Sequence, residues 1–230
     1  MVRLLDLGKD RISNIMIEMA ELSEHCVTTA INSYEKGSSA KNQIFQWSEE
    51  LRVLQNEVSE LAIELIARYQ PVASDLRFIR SCMEISYGFS RFGRYAYDIV
   101  DVLETMGSVS HCDKKPVLDM ACIVTDMIRQ SVQALRSNDE GVAEKLYQMD
   151  NGVDALYRKR LREVITPSQP PSSTVNSEEV STAIPSKVPD PRCHVSALLI
   201  MRYLERISDH ACYIADSVHY IVTGSSSPRR

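Results

Sequence analysis

The chain has 230 residues, of which 44% are hydrophobic and 25% charged, and its formal net charge is −5. This composition is typical of a folded globular protein, and the acidic balance argues against nucleic-acid binding through a basic face. The sequence contains no run of about 18 apolar residues that would span a membrane. Its first residues lack the apolar core and cleavage site of a signal peptide, so we expect a cytoplasmic protein.

Apolar residues recur at steps of three and four along six stretches of the chain, which predicts six amphipathic helices. Glycine or proline lies close to most of their ends, as is typical of helix boundaries. No stretch shows the sustained alternation of a strand, so the sequence predicts an all-α protein. In chain order the six stretches are 12–37, 44–70, 76–107, 118–135, 142–165 and 195–224.

The six predicted helices form an internal repeat. The segment LERISDHACYIAD (204–216) aligns with FSRFGRYAYDIVD (89–101). This repetition predicts two tandem antiparallel three-helix bundles, with one repeat at 1–110 and the other at 111–224. A segment rich in proline and serine at 166–192 is interpreted as a flexible linker inside the second repeat, and 225–230 as a frayed tail.

Neither the six cysteines nor any short catalytic motif indicates a catalytic site. The cysteines form no CxxC pair and no zinc-finger spacing, so in a cytosolic chain we interpret them as buried or free thiols. The sequence contains no glycine-rich phosphate loop, no HExxH and no GxSxG. We therefore predict no catalytic residues.

The strongest candidate site is a set of acidic residues on the fifth and sixth helices. Asp150 and Asp154 lie four residues apart on the fifth helix, and would face the sixth if the two pack antiparallel. Facing carboxylates repel one another unless they share a proton or hold a cation, and oxygen ligands suit hard or borderline cations. The alternative is a solvated acidic stripe, with Glu205 paired to Arg202 or Arg206. On the sixth helix, spacings of four, three and four place on one face Glu205, Asp209, Cys212 and Asp216.

The turn between the second and third helices has its own pattern of capping residues. Gln70 and Pro71 are expected to end the second helix, and Ser74 or Asp75 to cap the start of the third. Arg77 would then reach Asp75 or the preceding turn. We interpret this stretch as a capped connection between helices.

Three segments carry a resemblance to a known family: QPVASDLR (70–77), YLERISDHACYIAD (203–216) and YIVTG (220–224). They resemble the PhoU family of phosphate-transport accessory regulators, and the resemblance extends from the first helix to Gly224. It implies two repeated three-helix bundles and a non-catalytic, cytosolic negative regulator of phosphate uptake, expected to be a homodimer. Its implied partners are the ATPase subunit of the phosphate importer and a sensor histidine kinase, with membrane contact only through the transporter.

The resemblance also implies a metal site. Members of the family bind multinuclear iron or zinc clusters through (E/D)xxxD motifs, one on each of two helices in a bundle. The second repeat keeps both motifs, as Asp150–Asp154 and Glu205–Asp209. These four residues are therefore the predicted metal ligands.

The first repeat departs from this pattern. An arginine is always charged and would repel a cation, so we expect metal in the second repeat only. Asp98 and Asp101 lie nearby and are expected to pair with one of the arginines. The positions aligned with the acidic motifs hold hydroxyl and guanidinium groups: Ser48, Arg52, Ser90 and Arg94.

A carboxylate-bridged di-metal enzyme is the alternative function for a helical bundle with facing acids. Di-iron bundles of this kind use Glu-x-x-His pairs. No such pair lies beside the acidic residues of this chain, and we favour the regulator.

Overall fold

The computed structural model describes residues 3–137, 139, 141–166 and 190–225, and over these residues it contains six α-helices and no strand. The prediction of an all-α protein is confirmed. Residues 167–189 of the predicted linker and 226–230 of the predicted tail lie outside the described residues. The helices are α1 (Leu4–Lys36), α2 (Lys41–Tyr69), α3 (Ala73–Met106), α4 (Lys115–Ser137), α5 (Val142–Ile165) and α6 (Pro191–Thr223).

Helices α1–α3 pack into one bundle and α4–α6 into a second, as the repeat predicts. The direction of packing is visible in pairs of contacts. Lys41 at the start of α2 pairs with Asp101 near the end of α3, with Nζ and Oδ1 2.7 Å apart. Farther along α2, Leu51 lies against Gly93. Position rises along one helix as it falls along the other, so α2 and α3 run antiparallel.

The two bundles lie side by side, and the most extensive packing between any two helices is that of α3 against α6. Gly88 lies where they approach closely: a Cβ atom built there would be 2.9 Å from Cγ1 of Ile214. At the other end of the contact, the rings of Tyr95 and Tyr203 stack with their centroids 6.2 Å apart. The absent side chain of Gly88 therefore lets the two repeats meet along these central helices.

The start of α3 differs from the predicted capped turn. The residue before the helix, Val72, makes no capping hydrogen bond through its side chain. Asp75 instead pairs with Lys9 on α1, at 2.6 Å between Nζ and Oδ1. The guanidinium of Arg77 lies beside Gly224, where its charge complements the carbonyl end of α6. The capping expectation was wrong because α3 begins at Ala73, which places Ser74 and Asp75 inside its first turn rather than before it.

Within the described residues, no helix combines the length and the apolar character needed to cross a membrane.

Candidate metal site between the fifth and sixth helices

Helices α5 and α6 bring the predicted ligands together because they pack antiparallel along one seam. Near the start of α5, the Tyr147 hydroxyl donates a hydrogen bond to Asp216, close to the end of α6. Three residues later, Asp150 Oδ1 accepts a hydrogen bond of 2.9 Å from Ser208 Oγ. The residue numbers on α6 therefore fall as those of their partners on α5 rise, so the two helices run antiparallel. Helical periodicity then aims the next acidic residues of both helices at the same seam.

Asp150 is the most deeply buried of the four predicted ligands. Only 5% of its surface is exposed, and its partner Ser208 is fully buried. The Ser208 hydroxyl also approaches the Glu205 carbonyl oxygen one turn earlier, at 2.8 Å. A carboxylate needs such partners to remain inside a bundle, because burying an unpaired charge is costly.

Glu205 lies in the same seam with 12% of its side chain exposed. Its Oε1 accepts a hydrogen bond of 2.7 Å from Arg202. Its buried Oε2 accepts none from the described residues, and Arg206 Nε lies 3.7 Å from it. Burial raises the pKa of Glu205, and the negative charges of Asp209 and Asp154 raise it further against the two arginines. One oxygen of this carboxylate is therefore buried without a hydrogen-bond donor.

Asp209 and Asp154 complete the set. Asp209 accepts a hydrogen bond of 3.2 Å from Arg206, and Asp154 accepts one of 2.7 Å from Arg158. Burial raises the pKa of Asp209, and the carboxylates of Asp150 and Asp154 add to the shift. Negative charges on both helices thus act on one another across the seam.

The structure therefore combines features of both interpretations of these acids. The arginine pairs of the solvated-stripe alternative are present. The full exposure that this alternative requires is not, since the side chains of Glu205, Asp154 and Asp209 are 12%, 14% and 30% exposed. A partly buried group of carboxylates with one oxygen lacking a hydrogen-bond donor suits a hard or borderline cation.

The first repeat places different chemistry at the corresponding positions. Arg94 pairs with Asp98 on its own helix, at 3.2 Å, as expected. Asp101 pairs with Lys41 rather than with an arginine. Arg52 pairs with Glu49, one turn before it on α2. Arginine side chains occupy two of the four motif positions, and each pairs with an acid on its own helix.

Cys112 and Cys193 form a disulfide, which corrects the expectation that all six cysteines are buried or free thiols. The two Cα atoms are 5.3 Å apart although the residues are separated by 81 positions. Folding brings the start of α6 against the α3–α4 connection, a contact that cysteine spacing does not reveal. Cys26 and Cys82 are buried free thiols, as expected, and burial raises the pKa of each to about 12.

Comparison with known proteins identifies relatives across almost the whole chain. The family model described as "PhoU domain" matches residues 16–103 and 117–218. A "Phosphate-specific transport system accessory protein PhoU homolog" of Zymomonas mobilis is 30% identical over 98% of this chain and 88% of its own length. A protein of the same description from Clostridium acetobutylicum is 24% identical over 96% of this chain and 95% of its own length.

Two solved structures share the fold. The crystal structure of PhoU from Pseudomonas aeruginosa superposes with a TM-score of 0.80 at 26% identity, covering 96% of this chain and 99% of the other. The phosphate transport system regulatory protein PhoU from Streptococcus pneumoniae also gives a TM-score of 0.80. It is 17% identical and covers 98% of this chain and 100% of the other, and it supports the fold alone.

Proposed function

The chain belongs to the PhoU family, and from this membership we propose that it is a regulator of phosphate transport that limits phosphate uptake without catalysing a reaction. Its direct partner is the ATPase subunit of the phosphate importer, on the cytoplasmic side of the membrane, and a sensor histidine kinase is a second partner. Similarity over nearly the full length to accessory proteins of phosphate transport carries the proposal. The protein acts as a homodimer.

The carboxylates of the second repeat hold iron or zinc in this proposal. Asp150 and Asp154 on α5 and Glu205 and Asp209 on α6 are the ligands. The donor set fits such a metal because two of these acids have raised pKa values and one buried oxygen accepts no hydrogen bond. The metal supplies positive charge that offsets the repulsion between the two helices. Its role is structural.

The experiment is a pull-down of the importer's ATPase subunit by the purified full-length chain, with and without phosphate. Wild type is compared with a Glu205→Gln/Asp209→Asn double variant, which keeps side-chain size but removes two charges from the seam. The control is Asp119→Asn on α4, an exposed residue paired with Lys115. Light scattering on the same samples measures whether the protein is a dimer.

We expect wild type and the Asp119→Asn variant to capture the subunit, and the double variant to capture less while losing metal. Equal capture by all three proteins would support the regulatory function and would show that docking does not depend on the metal. If no form captures the subunit under either phosphate condition, the proposed partner is wrong.

A di-metal enzyme is the second candidate, because carboxylates in a helical bundle suit such a centre. Three of the four acids here are paired with arginines, which neutralise charge without offering an exchangeable ligand position. Turnover of a phosphate ester by metal-loaded wild type, lost in the double variant, would favour the enzyme over the regulator.

A further inference from the structure

A second group of metal-ligating side chains lies far from the carboxylate seam, where the α3–α4 connection meets the start of α6. It contains His111 and Cys112 from the connection and Cys193 from the first turn of α6, with ligand atoms all within 4.8 Å of one another. Along α6, Cys193 precedes Glu205 by about 18 Å at 1.5 Å per residue. The two groups are therefore separate sites.

His111 lies at the centre of this group. Its Nε2 atom is 3.5 Å from Cys193 Sγ and 3.9 Å from Cys112 Sγ. The same atom is 3.1 Å from Oδ2 of Asp190, the residue that caps α6. Two sulfurs and one imidazole nitrogen thus lie together, and the Asp190 carboxylate adjoins the group through its contact with His111.

These separations resemble the edges of a tetrahedral zinc site. Zinc–sulfur bonds of about 2.3 Å and zinc–nitrogen bonds of about 2.0 Å place neighbouring ligand atoms about 3.3–3.8 Å apart. The distance from His111 Nε2 to Cys193 Sγ, 3.5 Å, lies within this range, and that to Cys112 Sγ, 3.9 Å, lies just beyond it. Reduction of the disulfide separates the sulfurs and frees both as ligands, so only modest side-chain movement is needed.

We propose that the reduced chain binds one zinc ion through Cys112, Cys193, His111 and Asp190, and that this ion and the disulfide are alternative states of one site. A dithiol or phosphine reductant supplies two electrons, two protons enter with them, and the disulfide becomes two thiols while the reductant is oxidised. Zinc then displaces the two thiol protons to solvent and is held by two thiolates.

Charge and exposure support this assignment. Two thiolates and one carboxylate outweigh the charge of a divalent cation. Asp190 can keep the bonds that its Oδ1 accepts from the backbone nitrogen and guanidinium of Arg192. Its Oδ2 also accepts two bonds from that guanidinium, at 3.0 and 2.7 Å, and exchanges them for the metal. His111 is exposed, so the ion can enter from solvent. In either state the site fastens the α3–α4 connection to the start of α6.

The test uses the full chain reduced with a phosphine and titrated with Co²⁺ as a spectroscopic substitute for zinc. Thiolate-to-cobalt charge-transfer absorption reports sulfur ligands, and the carboxylates of α5 and α6 cannot produce it. We expect one cobalt per chain to give this band, zinc to abolish it by competition, and the oxidised chain to lack it. Cys112→Ser and Cys193→Ser should remove the band. His111→Ala should weaken cobalt binding by more than about tenfold, the lower end of what losing even an outer partner costs.

Cys122→Ser is the matched control, because Cys122 is an exposed free cysteine outside the group. It should leave the band unchanged. A band that is absent from the reduced wild type, or that survives in Cys193→Ser, would overturn the proposal. If circular dichroism shows that a serine variant does not fold, thiol alkylation of the reduced wild type tests the proposal instead. Zinc must then protect Cys112 and Cys193 while Cys122 stays reactive, and equal labelling of all three would reject the site.

Discussion

His210 occupies a polar position within the interface between α3 and α6. Its ring lies 5.7 Å from that of Tyr87 and 5.9 Å from that of Tyr95, both on α3. Burial lowers the pKa of His210 to about 4, and the positive charges of Arg91 and Arg206 act in the same direction. The imidazole is therefore neutral in the folded protein at physiological pH.

The shifted pKa of His210 predicts a loss of stability in mild acid. Below about pH 6.5 the unfolded chain binds a proton at His210, whereas the folded chain does not until the pH approaches 4. The contribution of His210 to the free energy of unfolding should thus fall as the pH drops through this window. Urea unfolding at a series of pH values measures it, and His210→Gln should flatten the dependence. An NMR titration that gives His210 an ordinary pKa would contradict the prediction.

The carboxylates of Glu205 and Asp209 predict a linkage of the opposite sign. Their pKa values are raised on folding, so in the metal-free protein the contribution of these two groups to stability should increase as the pH falls through the window above their ordinary values. At neutral pH a metal ion at a free concentration of 100 times its Kd should raise the free energy of unfolding by about 2.7 kcal/mol. In Asp209→Asn this metal-induced rise in Tm should shrink. An equal rise in wild type and variant would remove Asp209 from the site.

Residue-scale expectations succeeded where helical spacing alone decided the geometry. The steps of four between Asp150 and Asp154 and between Glu205 and Asp209 suffice to place all four acids along one seam. Spacing could not reveal that Asp75 pairs with Lys9 on α1. Nor could it pair Cys112 with Cys193, since that contact depends on how α6 returns across the fold.

At the scale of elements, the glycines within the helices differ sharply in their surroundings. A Cβ atom at Gly93 on α3 would lie 2.5 Å from Leu51 Cδ1 and 3.3 Å from the Cα atom of Ser48. A Cβ atom at Gly152 on α5 would meet no atom of the described residues within 4 Å. Gly93 therefore lets α2 and α3 approach closely, whereas Gly152 has no such role.

This contrast predicts opposite effects for the same substitution. Glycine to alanine inside a helix stabilises by about 1 kcal/mol when space permits, so Gly152→Ala should raise the free energy of unfolding by about that amount. At Gly93 overpacking costs about 1–3 kcal/mol, so Gly93→Ala should give a net loss. Denaturant unfolding of the two variants measures both changes. A gain in stability at Gly93 would mean that α2 and α3 separate easily.

At the scale of the whole molecule, the packing of α3 against α6 joins the two repeats. Among the described helices, α5 packs against α4 and α6 and not against the helices of the first repeat. The single tryptophan, Trp47, lies in the first repeat on α2 against His25. Its fluorescence therefore reports on the repeat that α5 does not touch.

Cooperative unfolding would make a change in α5 visible at Trp47. Leu146 is fully buried, and Leu146→Ala should cost about 2–5 kcal/mol. If the repeats unfold as one unit, the Trp47 fluorescence midpoint and the circular dichroism midpoint should shift together. Lys159→Ala, at an exposed position of α5, is the control and should change neither. A Trp47 midpoint unmoved by Leu146→Ala would show that the repeats unfold separately.

Most of the architecture was predictable because each helix carries its own apolar period and the repeat relates three helices to the other three. The extensive packing of α3 against α6 at the centre of the molecule was not predictable from the sequence. It depends on details such as the missing side chain of Gly88 opposite Ile214.

The position of α6 in the chain has a consequence for biosynthesis. During translation α6 follows the other five helices, yet it packs against α3, α4 and α5. Until it leaves the ribosome, the apolar surfaces that it covers on both repeats are open to water and to other chains. The nascent protein is thus most prone to aggregation late in synthesis, and chaperone protection matters most just before its sixth helix emerges.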